Sequence, residues 1–374
     1  MTGEPLRILQ IYPKGDFFTG AAMQLWELAR GLAGRGHRVV VATPPSEIWA
    51  ARCAQAGLTH TAIAMRRAWD PRAAWRLARL IRQERIQVAH AHKGRARTLM
   101  LLARLMGARV VLVLNRGVSF PVDGVRQRVG YTNRNVHAIV AVCDSIRRGL
   151  VGAGVPAEKV AVIYSGTDVE RFHPGVEGAA VRRELGLAPD EVVITQIGVR
   201  SWRGWRDVLD AMTSVAPRLP RARLLFVGAP PPRIIEIAAE ARARGLEGRV
   251  LAIGHRTDVP AILAASDVVV DASYAGLGIT GSIREALACE RPVVATDLEG
   301  MPELVLDGET GLLVPPRTPT ALADAIVRLA GDPTAAQTMA RAGRKRVEAL
   351  FSLRAKVDAT EALYQRLVAA GGAA

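Results

Sequence analysis

The chain of 374 residues has few cysteines, few aromatic residues and no long apolar run. Its three cysteines, Cys53, Cys143 and Cys289, are scattered, which argues against a disulfide framework or a zinc cluster and fits a reducing compartment. No apolar run reaches the ~18 residues that a membrane-spanning helix needs. The first residues also lack the basic start and apolar core of a secretory signal. We therefore expect a cytoplasmic protein that is soluble or at most bound at a membrane surface.

Ligand motifs of two classes are missing as well. The first strand–loop–helix segment has Gly15 and Gly20 in its loop but no G-x-G-x-x-G, and no acidic residue closes the second strand. A dinucleotide site is therefore not expected. Aromatic residues make up only 5% of the chain and no nucleic-acid recognition motif is present, so we expect no nucleic-acid partner.

Basic residues, by contrast, are plentiful in the first half. Residues 1–172 contain 26 Lys and Arg against 11 Asp and Glu, whereas residues 173–374 contain 24 of each. Such a one-sided field attracts an anionic partner, such as membrane lipid or a charged glycolipid. The predicted helix 71–84, capped by Asp70, adds three arginines on one face and two nearby tryptophans, which are Arg72, Arg76, Arg79, Trp69 and Trp75. This face is either an ordinary solvated surface or a contact for anionic headgroups.

Apolar runs alternate with helical patterns along both halves, which predicts two parallel sheets covered by helices. In the first half the predicted strands are 6–12, 38–43, 86–92, 109–114, 137–142 and 160–164, and in the second they include 192–198, 224–228, 250–254, 265–270 and 293–296. The expected fold is α/β, with two Rossmann-like doubly wound domains facing a central cleft. We place the first domain at 1–172, the second at 173–350 and a C-terminal helix at 351–374 that crosses back to the first, across a hinge near 170–176.

The stretch 271–296 (DASYAGLGITGSIREALACERPVVAT) combines a strand end, a glycine-rich loop and a helix N-terminus. Glycine allows close backbone approach, and free N–H groups with the helix dipole favour a phosphate. Ser282 and Glu285 have the spacing of a capping box, so spacing alone favours a structural role for Glu285. At the end of the strand 86–92, His92 lies where parallel sheets bind ligands, which favours a functional role over that of an ordinary core histidine.

Six segments in the same order resemble the family-4 glycosyltransferases of the GT-B fold. They are LARGLAGRGHRVVVAT, VAVIYSGTDVERFHP, LLFVGAP, GHRTDVPAILAASDVVVDAS, REALACERPVVATDLEGMPELVLDGETGLLVPP and the terminal FS…LYQRL. The resemblance implies transfer of a sugar from a nucleotide diphosphate sugar with retention at the anomeric carbon. It implies no further cofactor. No D-x-D motif is present, which agrees with metal-independent chemistry, so we place no metal.

The resemblance assigns roles to individual residues. It implies that Arg200 and Arg203 clamp the leaving diphosphate, with Arg203 standing where the family usually has Lys. Donor-binding roles fall on Gly20, Ala21, Arg256, Gly281, Ser282, Ile283 and Glu285, the last as the second Glu of the E-x7-E signature. Asn115 and Arg116 stand where the family often has a histidine, and with His92 they are assigned to the acceptor side. An Arg there would suit a negatively charged acceptor.

One departure from the family pattern leaves alternatives open. The first Glu of E-x7-E is replaced by Leu277, or by Ala275 in a second alignment. We expect a retaining hexosyltransferase or other glycosyltransferase of lipopolysaccharide or another cell-envelope glycan, with a lipid-linked or envelope acceptor that is anionic. Its basic first domain would contact an anionic membrane. The alternatives are a non-catalytic scaffold that binds a nucleotide or glycan, and a nucleotide-sugar epimerase of the same fold.

Overall fold

The computed structural model of the protein describes residues 4–16, 19–276 and 278–371. Its contacts divide the chain into two units. Unit 1 comprises Met1–Gly166 and Leu353–Ala374, and unit 2 comprises Thr167–Ser352. The contact boundaries thus lie at 166/167 and 352/353, compared with 172/173 and 350/351 in the sequence analysis.

Unit 1 is a parallel sheet of seven strands with helices between successive strands. The strand order is β3-β2-β1-β4-β5-β6-β7. The strands are β1 (Arg7–Ile11), β2 (Arg38–Thr43), β3 (Thr59–Ala62), β4 (Val88–His92), β5 (Val111–Arg116), β6 (Ala138–Ala141) and β7 (Val160–Val162). The helices are α1 (Gly20–Ala33), α2 (Glu47–Gln55), α3 (Pro71–Gln83), α4 (Lys93–Leu105), α5 (Val125–Thr132) and α6 (Asp144–Gly152). The β-branched central strands are buried on both faces, as expected for a parallel sheet.

Unit 2 is a parallel sheet of six strands in the order β10-β9-β8-β11-β12-β13. The strands are β8 (Val192–Ile197), β9 (Ala222–Val227), β10 (Val250–Ile253), β11 (Val268–Asp271), β12 (Val293–Thr296) and β13 (Leu312–Val314). The helices are α7 (Ala179–Glu184), α8 (Trp205–Val215), α9 (Pro231–Ala243), α10 (Val259–Ala264), α11 (Gly281–Ala288), α12 (Met301–Leu304), α13 (Pro319–Gly331) and α14 (Pro333–Leu350). Both sheets confirm the predicted α/β class.

The last helix, α15 (Leu353–Ala369), belongs to unit 1. Val357, Leu363 and Tyr364 on this helix are buried in the same apolar core as Trp26 and Leu32 of α1. Gly31 of α1 permits the close approach, since a Cβ there would lie 2.4 Å from Val357 Cγ2. The C-terminal helix placed at 351–374 in the sequence corresponds to α15, and its residues belong to unit 1.

Two local predictions near the first turns of helices have different outcomes. Asp70 caps α3 as predicted, because its carboxylate accepts a hydrogen bond of 3.0 Å from the N–H of Ala73. Gly20, predicted to lie in the loop after the first strand, is instead the first residue of α1, because Thr19 is the N-cap residue. Within the described residues, no helix combines the length and the apolar composition that crossing a membrane requires.

Candidate functional site

The strand order of unit 2 reverses between β8 and β11. The strands that follow β8 in sequence lie on one side of this pair, and those that follow β11 lie on the other side. Ligands of open parallel sheets bind outside the carboxyl ends of the strands at such a reversal. The segment after β8 carries Arg200 and Arg203, and the segment after β11 leads to the N-terminus of α11. The topology of this unit therefore brings the predicted arginines and the glycine-rich stretch to one edge of the sheet.

Arg203 is the centre of the polar contacts at this edge. Its guanidinium donates hydrogen bonds to the Ile197 carbonyl at 2.8 Å, to Ser282 Oγ at 3.1 Å and to Thr280 Oγ1 at 3.3 Å. Its Nη2 also lies 3.0 Å from Asp271 Oδ2 at the end of β11, in an ion pair whose carboxylate side chain is 1% exposed. Arg203 thereby joins the end of β8, the end of β11 and the start of α11.

The glycine after Arg203 makes this arrangement possible. Gly204 has a left-handed backbone with φ of +63°, and a Cβ there would lie 1.9 Å from the carbonyl oxygen of Ala272. No other residue type fits such an approach without a backbone shift. The loop after β8 is therefore held against the end of β11 by both a backbone contact and a side-chain ion pair.

The helix α11 begins two residues earlier than predicted, and this overturns the predicted capping box. Thr280 is the N-cap residue and makes no side-chain capping bond, and Gly281, Ser282 and Ile283 form the first turn. Ser282 is inside the helix and accepts from Arg203, so it cannot cap Glu285 reciprocally. Because the first N–H groups of a helix have no intrahelical acceptor, this turn presents donors to an anion.

Glu285 lies one turn further along α11 and is half-buried. Burial raises the pKa of its carboxyl group, although the positive charges of Arg284, Arg171 and Arg203 act in the opposite direction. Among the described residues, no side chain donates a hydrogen bond to this carboxylate. Its acceptor capacity is available for the hydroxyl groups of a ligand.

The remaining predicted residues of unit 2 have different surroundings. Arg200 is exposed and its Cζ lies 5.7 Å from the centre of the Trp202 ring. Arg256 follows the edge strand β10 and forms ion pairs with Glu184 and Asp258. These pairs hold the pKa of Arg256 above its ordinary value. Leu277, the position of the missing signature Glu, lies outside the described residues.

In unit 1 the strand order reverses between β1 and β4, and two helices begin at this edge. Gly20 and Ala21 form the exposed first turn of α1, behind the N-cap Thr19. A Cβ at Gly20 would meet no atom within 4 Å. This turn follows β1, as α4 follows β4, so both helix N-termini lie at the ligand-binding edge of the unit 1 sheet.

His92 ends β4 and is buried in a hydrogen-bonded chain. Its Nε2 lies 2.8 Å from Gln10 Oε1, Gln10 Nε2 donates to Tyr364 Oη at 3.2 Å, and Tyr364 Oη lies 2.6 Å from His90 Nδ1. Burial lowers the pKa of His92 well below 6.5 and that of His90 to about 3. Both imidazoles are therefore neutral, and the chain links the predicted acceptor side to the C-terminal helix.

Asn115 and Arg116 are the last two residues of β5, which begins and ends two residues later than the predicted strand 109–114. Arg116 is 8% exposed and donates to the Tyr131 hydroxyl at 3.0 Å and to the Phe120 carbonyl. Arg97 of α4 contacts the same aromatic ring, with its Cζ 4.2 Å from the ring centre. Sequence reasoning missed Arg97 and Tyr131, because only the fold brings them beside Arg116.

Asp271 is the clearest functional candidate that the sequence analysis did not single out. The signal was present, because an acidic residue ends an otherwise apolar buried strand immediately before the glycine-rich loop. In the part of the chain that the structure describes, no three His, Cys, Asp or Glu side chains group as metal ligands would. The absence of a metal from the reaction stays a prediction.

Comparison with known proteins identifies the two halves of the chain. Residues 18–171 match the Glycosyltransferase Family 4 profile, and residues 191–332 match the profile of Glycosyl transferases group 1. Over 244 residues the chain is 33% identical to the D-inositol 3-phosphate glycosyltransferases of Mycobacterium bovis and Mycobacterium tuberculosis. That match covers 62% of this chain and 48% of theirs, so the chain spans about half the length of these curated relatives.

Solved structures share the fold over nearly the whole chain. A glycosyltransferase from Rickettsia africae superposes with a TM-score of 0.89 at 18% identity, covering 98% of this chain and 99% of that one. Anabaena HepE in complex with UDP superposes with a TM-score of 0.85 at 23% identity, covering 97% and 100%. HepE has also been solved with UDP-glucose, and that structure superposes with a TM-score of 0.84 at 23% identity, covering 96% and 100%. At these identities the likeness establishes the GT-B architecture.

Proposed function

Because the chain belongs to the family-4 glycosyltransferases of the GT-B fold, we propose that it transfers a sugar from a nucleotide diphosphate sugar to an acceptor hydroxyl with retention. The observation that carries this proposal is the edge of unit 2 where Arg203, the uncapped first turn of α11 and Glu285 occur together. The anionic diphosphate of a nucleotide donor requires cationic and N–H donor groups, and its ribose hydroxyls require an acceptor such as a carboxylate.

The donor would bind to unit 2 with its parts matched to these residues. The N–H groups of Gly281, Ser282 and Ile283 suit the diphosphate, and the Glu285 carboxylate suits two neighbouring ribose hydroxyls. Arg256 follows β10, where main-chain atoms would contact the base. Because HepE is known with UDP and UDP-glucose, uridine nucleotides are the first donors to test. In unit 1, we also propose a donor-binding role for Gly20 and Ala21 at the start of α1.

In the proposed reaction the acceptor oxygen attacks the anomeric carbon on the face that the diphosphate leaves. The bond from that carbon to the diphosphate oxygen breaks, the new glycosidic bond forms, and the departing diphosphate takes the proton of the hydroxyl. Charge develops on the leaving group, so donors fixed beside it lower the barrier. Arg200 and Arg203, both in the loop after β8, supply positive charge that stabilises the leaving diphosphate. Arg203 lies against the N-terminus of α11, and Arg200 lies at the exposed start of the loop.

The proposal is tested by titrating the full chain with a panel of nucleotide sugars and following slow donor hydrolysis. We expect binding of one donor, release of free sugar, and retention of the anomeric configuration by NMR. Glu285→Gln should weaken donor binding at least tenfold, whereas the exposed Glu309→Gln should not change it. Binding without turnover on any donor would indicate a scaffold. Conversion of the donor sugar without an acceptor would indicate an epimerase.

We propose in addition that unit 1 holds the acceptor at an anionic membrane surface, as a step of envelope-glycan synthesis in the cytoplasm. The support is the outer face of α3, where Trp75 is 49% exposed and neighbouring Trp69 is 64% exposed. Arg72, Arg76 and Arg79 are exposed on the same helix. Tryptophan prefers the membrane interface, and each basic residue near anionic lipid adds about 1 kcal/mol of binding.

Sedimentation with vesicles tests the membrane contact. The full chain should bind vesicles containing phosphatidylglycerol and not vesicles of phosphatidylcholine alone. Replacing Arg72, Arg76 and Arg79 together by Gln should reduce binding by about a hundredfold, because about 1 kcal/mol is lost at each of the three positions and about 1.4 kcal/mol corresponds to a factor of ten. The matched control replaces Arg218, Arg221 and Arg242 of unit 2, all in ion pairs, and should bind as the wild type does.

A further inference from the structure

The N-terminus of α4 carries positive charge that its own helix disfavours. The helix begins at Lys93, its first turn contains no acidic residue, and the N-cap residue His92 makes no side-chain capping bond. Lys93, Arg95 and Arg97 are nevertheless placed within its first five residues. A helix N-terminus already bears partial positive charge, so cations are unfavourable there and anions are favourable.

Arg97 adds a buried guanidinium that lacks a counter-charge among the described residues. The residue is 8% exposed, its Nε is buried without a hydrogen-bond partner, and no described carboxylate forms an ion pair with it. Its Nη2 would lie 3.9 Å from a Cβ at Gly94, so the guanidinium is directed at the first turn of α4. Burying a charge without a partner is costly unless a ligand supplies the opposite charge.

A second guanidinium is held beside the first by one aromatic ring. The Cζ atoms of Arg97 and Arg116 lie 4.2 Å and 5.4 Å from the centre of the Tyr131 ring. Gly130 leaves room for this contact, since a Cβ there would lie 2.7 Å from Arg97 Nε. Among the described residues, Arg116 donates to a hydroxyl and to a carbonyl, neither of which carries negative charge. The two like charges are therefore neutralised by no described group.

The N-terminus of α4 is also at the ligand-binding edge of the unit 1 sheet. It follows β4 directly, beside the reversal of strand order between β1 and β4. Arg95 Nη1 donates to the Pro13 carbonyl in the loop after β1, at 3.4 Å. Lys93 has a left-handed backbone with φ of +73°, a conformation that is uncommon for a residue other than glycine.

From this placement we propose that the N-terminus of α4, together with Arg97 and Arg116, binds a phosphoryl group carried by the acceptor. The inference rests on the proposed function for the identity of the ligand as an acceptor, and it narrows the acceptor to a phosphorylated one. Free N–H groups and a guanidinium fork are the groups that bind phosphate oxygens most strongly. A soluble sugar phosphate and a lipid-linked phosphate share this chemistry.

The decisive variant is Gly94→Asp. A carboxylate at this exposed position stabilises a helix N-terminus and can pair with Arg97, so the variant should fold with an unchanged or higher melting temperature. If Arg97 and Arg116 bind a phosphate at the N-terminus of α4, the new carboxylate occupies the position of that phosphate. We expect inorganic phosphate, titrated into the full chain by calorimetry, to bind wild type and to bind Gly94→Asp at least tenfold more weakly. Phosphate binding unchanged in the folded variant would overturn the proposal.

Two arginine variants and one control complete the binding test. Arg97→Gln and Arg116→Gln should each weaken phosphate binding at least tenfold, while the exposed Arg126→Gln on α5 should leave it within twofold. Excess UDP is present in a parallel titration, so that phosphate bound at a nucleotide site is displaced. The binding assigned to α4 must persist with UDP and must be insensitive to Glu285→Gln. Phosphate binding that UDP abolishes would contradict the proposal.

Competition then separates the two sources of phosphate. Monosaccharide phosphates that displace phosphate, when their unphosphorylated parents do not, indicate a soluble acceptor. Displacement only by phosphatidylglycerol vesicles indicates a lipid-linked one. Displacement by neither class would overturn the acceptor assignment. Failure of the proposed function remains distinguishable, because a chain that binds no nucleotide sugar can still bind phosphate in a Gly94-dependent way.

Discussion

Arg203 and Asp271 form an ion pair of 3.0 Å across the edge of the unit 2 sheet, with side chains that are 12% and 1% exposed. Each residue comes from a different segment: Asp271 ends β11, and Arg203 lies in the loop after β8. The pair fixes the guanidinium against Ser282 and Thr280 at the start of α11. Asp271 is therefore a positioning residue for a group that the proposed mechanism places beside the diphosphate.

Replacing Asp271 by Asn should destabilise the folded protein and weaken donor binding together. Removing one partner of a buried pair leaves an uncompensated charge, which costs about 3–5 kcal/mol. Urea denaturation of the full chain measures the loss. The control Asp324→Asn breaks an exposed ion pair with Arg218 and should cost only about 0–1 kcal/mol. Equal losses of unfolding free energy in the two variants would show that Asp271 does not hold Arg203 in position.

The contact between α1 and α15 predicts a steric effect with a specific rescue. Gly31→Ala should destabilise unit 1 by about 1–3 kcal/mol, because the new methyl group would lie 2.4 Å from Val357 Cγ2. The double variant Gly31→Ala with Val357→Ala should recover part of that loss. Gly149 lies in the middle of α6, and a Cβ there would meet no atom within 4 Å. The control Gly149→Ala should therefore be neutral or stabilising by about 0.5–1 kcal/mol. Strictly additive losses in the double variant would exclude the clash.

Sequence patterns predicted the strands well wherever both faces of a strand are buried. The boundaries of β2 are as predicted, and Asp70, predicted to cap the start of α3, is its N-cap residue. Of the four edge strands, β7 and β10 were predicted, whereas β3 and β13 were missed because neither has a long apolar run. Apolar periodicity reports burial in a sheet interior and is weak at an edge.

The candidate site was only partly predictable for a different reason. Capping-box spacing predicted Ser282 as a helix cap from local sequence alone. In the structure its hydroxyl accepts a hydrogen bond from Arg203, which is 79 residues away in sequence. Arg116 was recognised because it stands where the resembling family often has a histidine, whereas its neighbours Arg97 and Tyr131 depend on how α4 and α5 pack. Contacts between distant segments leave no periodic trace in a single sequence.

The buried histidines of unit 1 predict a loss of stability on acidification. The unfolded chain protonates each histidine near pH 6.5, whereas the folded protein keeps His90 neutral to about pH 3 and His92 neutral well below 6.5. Their contribution to stability is therefore complete above pH 6.5 and is lost as the pH falls towards 3. Each histidine contributes a slope of up to about 1.4 kcal/mol per pH unit in this window.

Urea denaturation between about pH 7 and about pH 5 measures this slope, in a range where most carboxyl groups stay ionised. His90→Gln removes one titrating group, so the unfolding free energy of the variant should depend less steeply on pH. The comparison uses slopes only, so a uniform loss of stability in the variant does not affect it. Parallel curves for wild type and variant would mean that His90 is protonated in the folded protein.

The Glu285 carboxylate should contribute more to donor binding than to the stability of the folded protein. Because burial raises the pKa of its carboxyl group, its ionised form is disfavoured in the folded protein. A group with a raised pKa contributes stability below pH 4.5 that is lost as the pH rises through the folded value. At neutral pH the neutral Glu285→Gln variant should therefore melt at the same temperature as wild type or higher, while it binds the nucleotide sugar at least tenfold more weakly. A variant that loses stability and binding in parallel would instead assign Glu285 to the structure of α11.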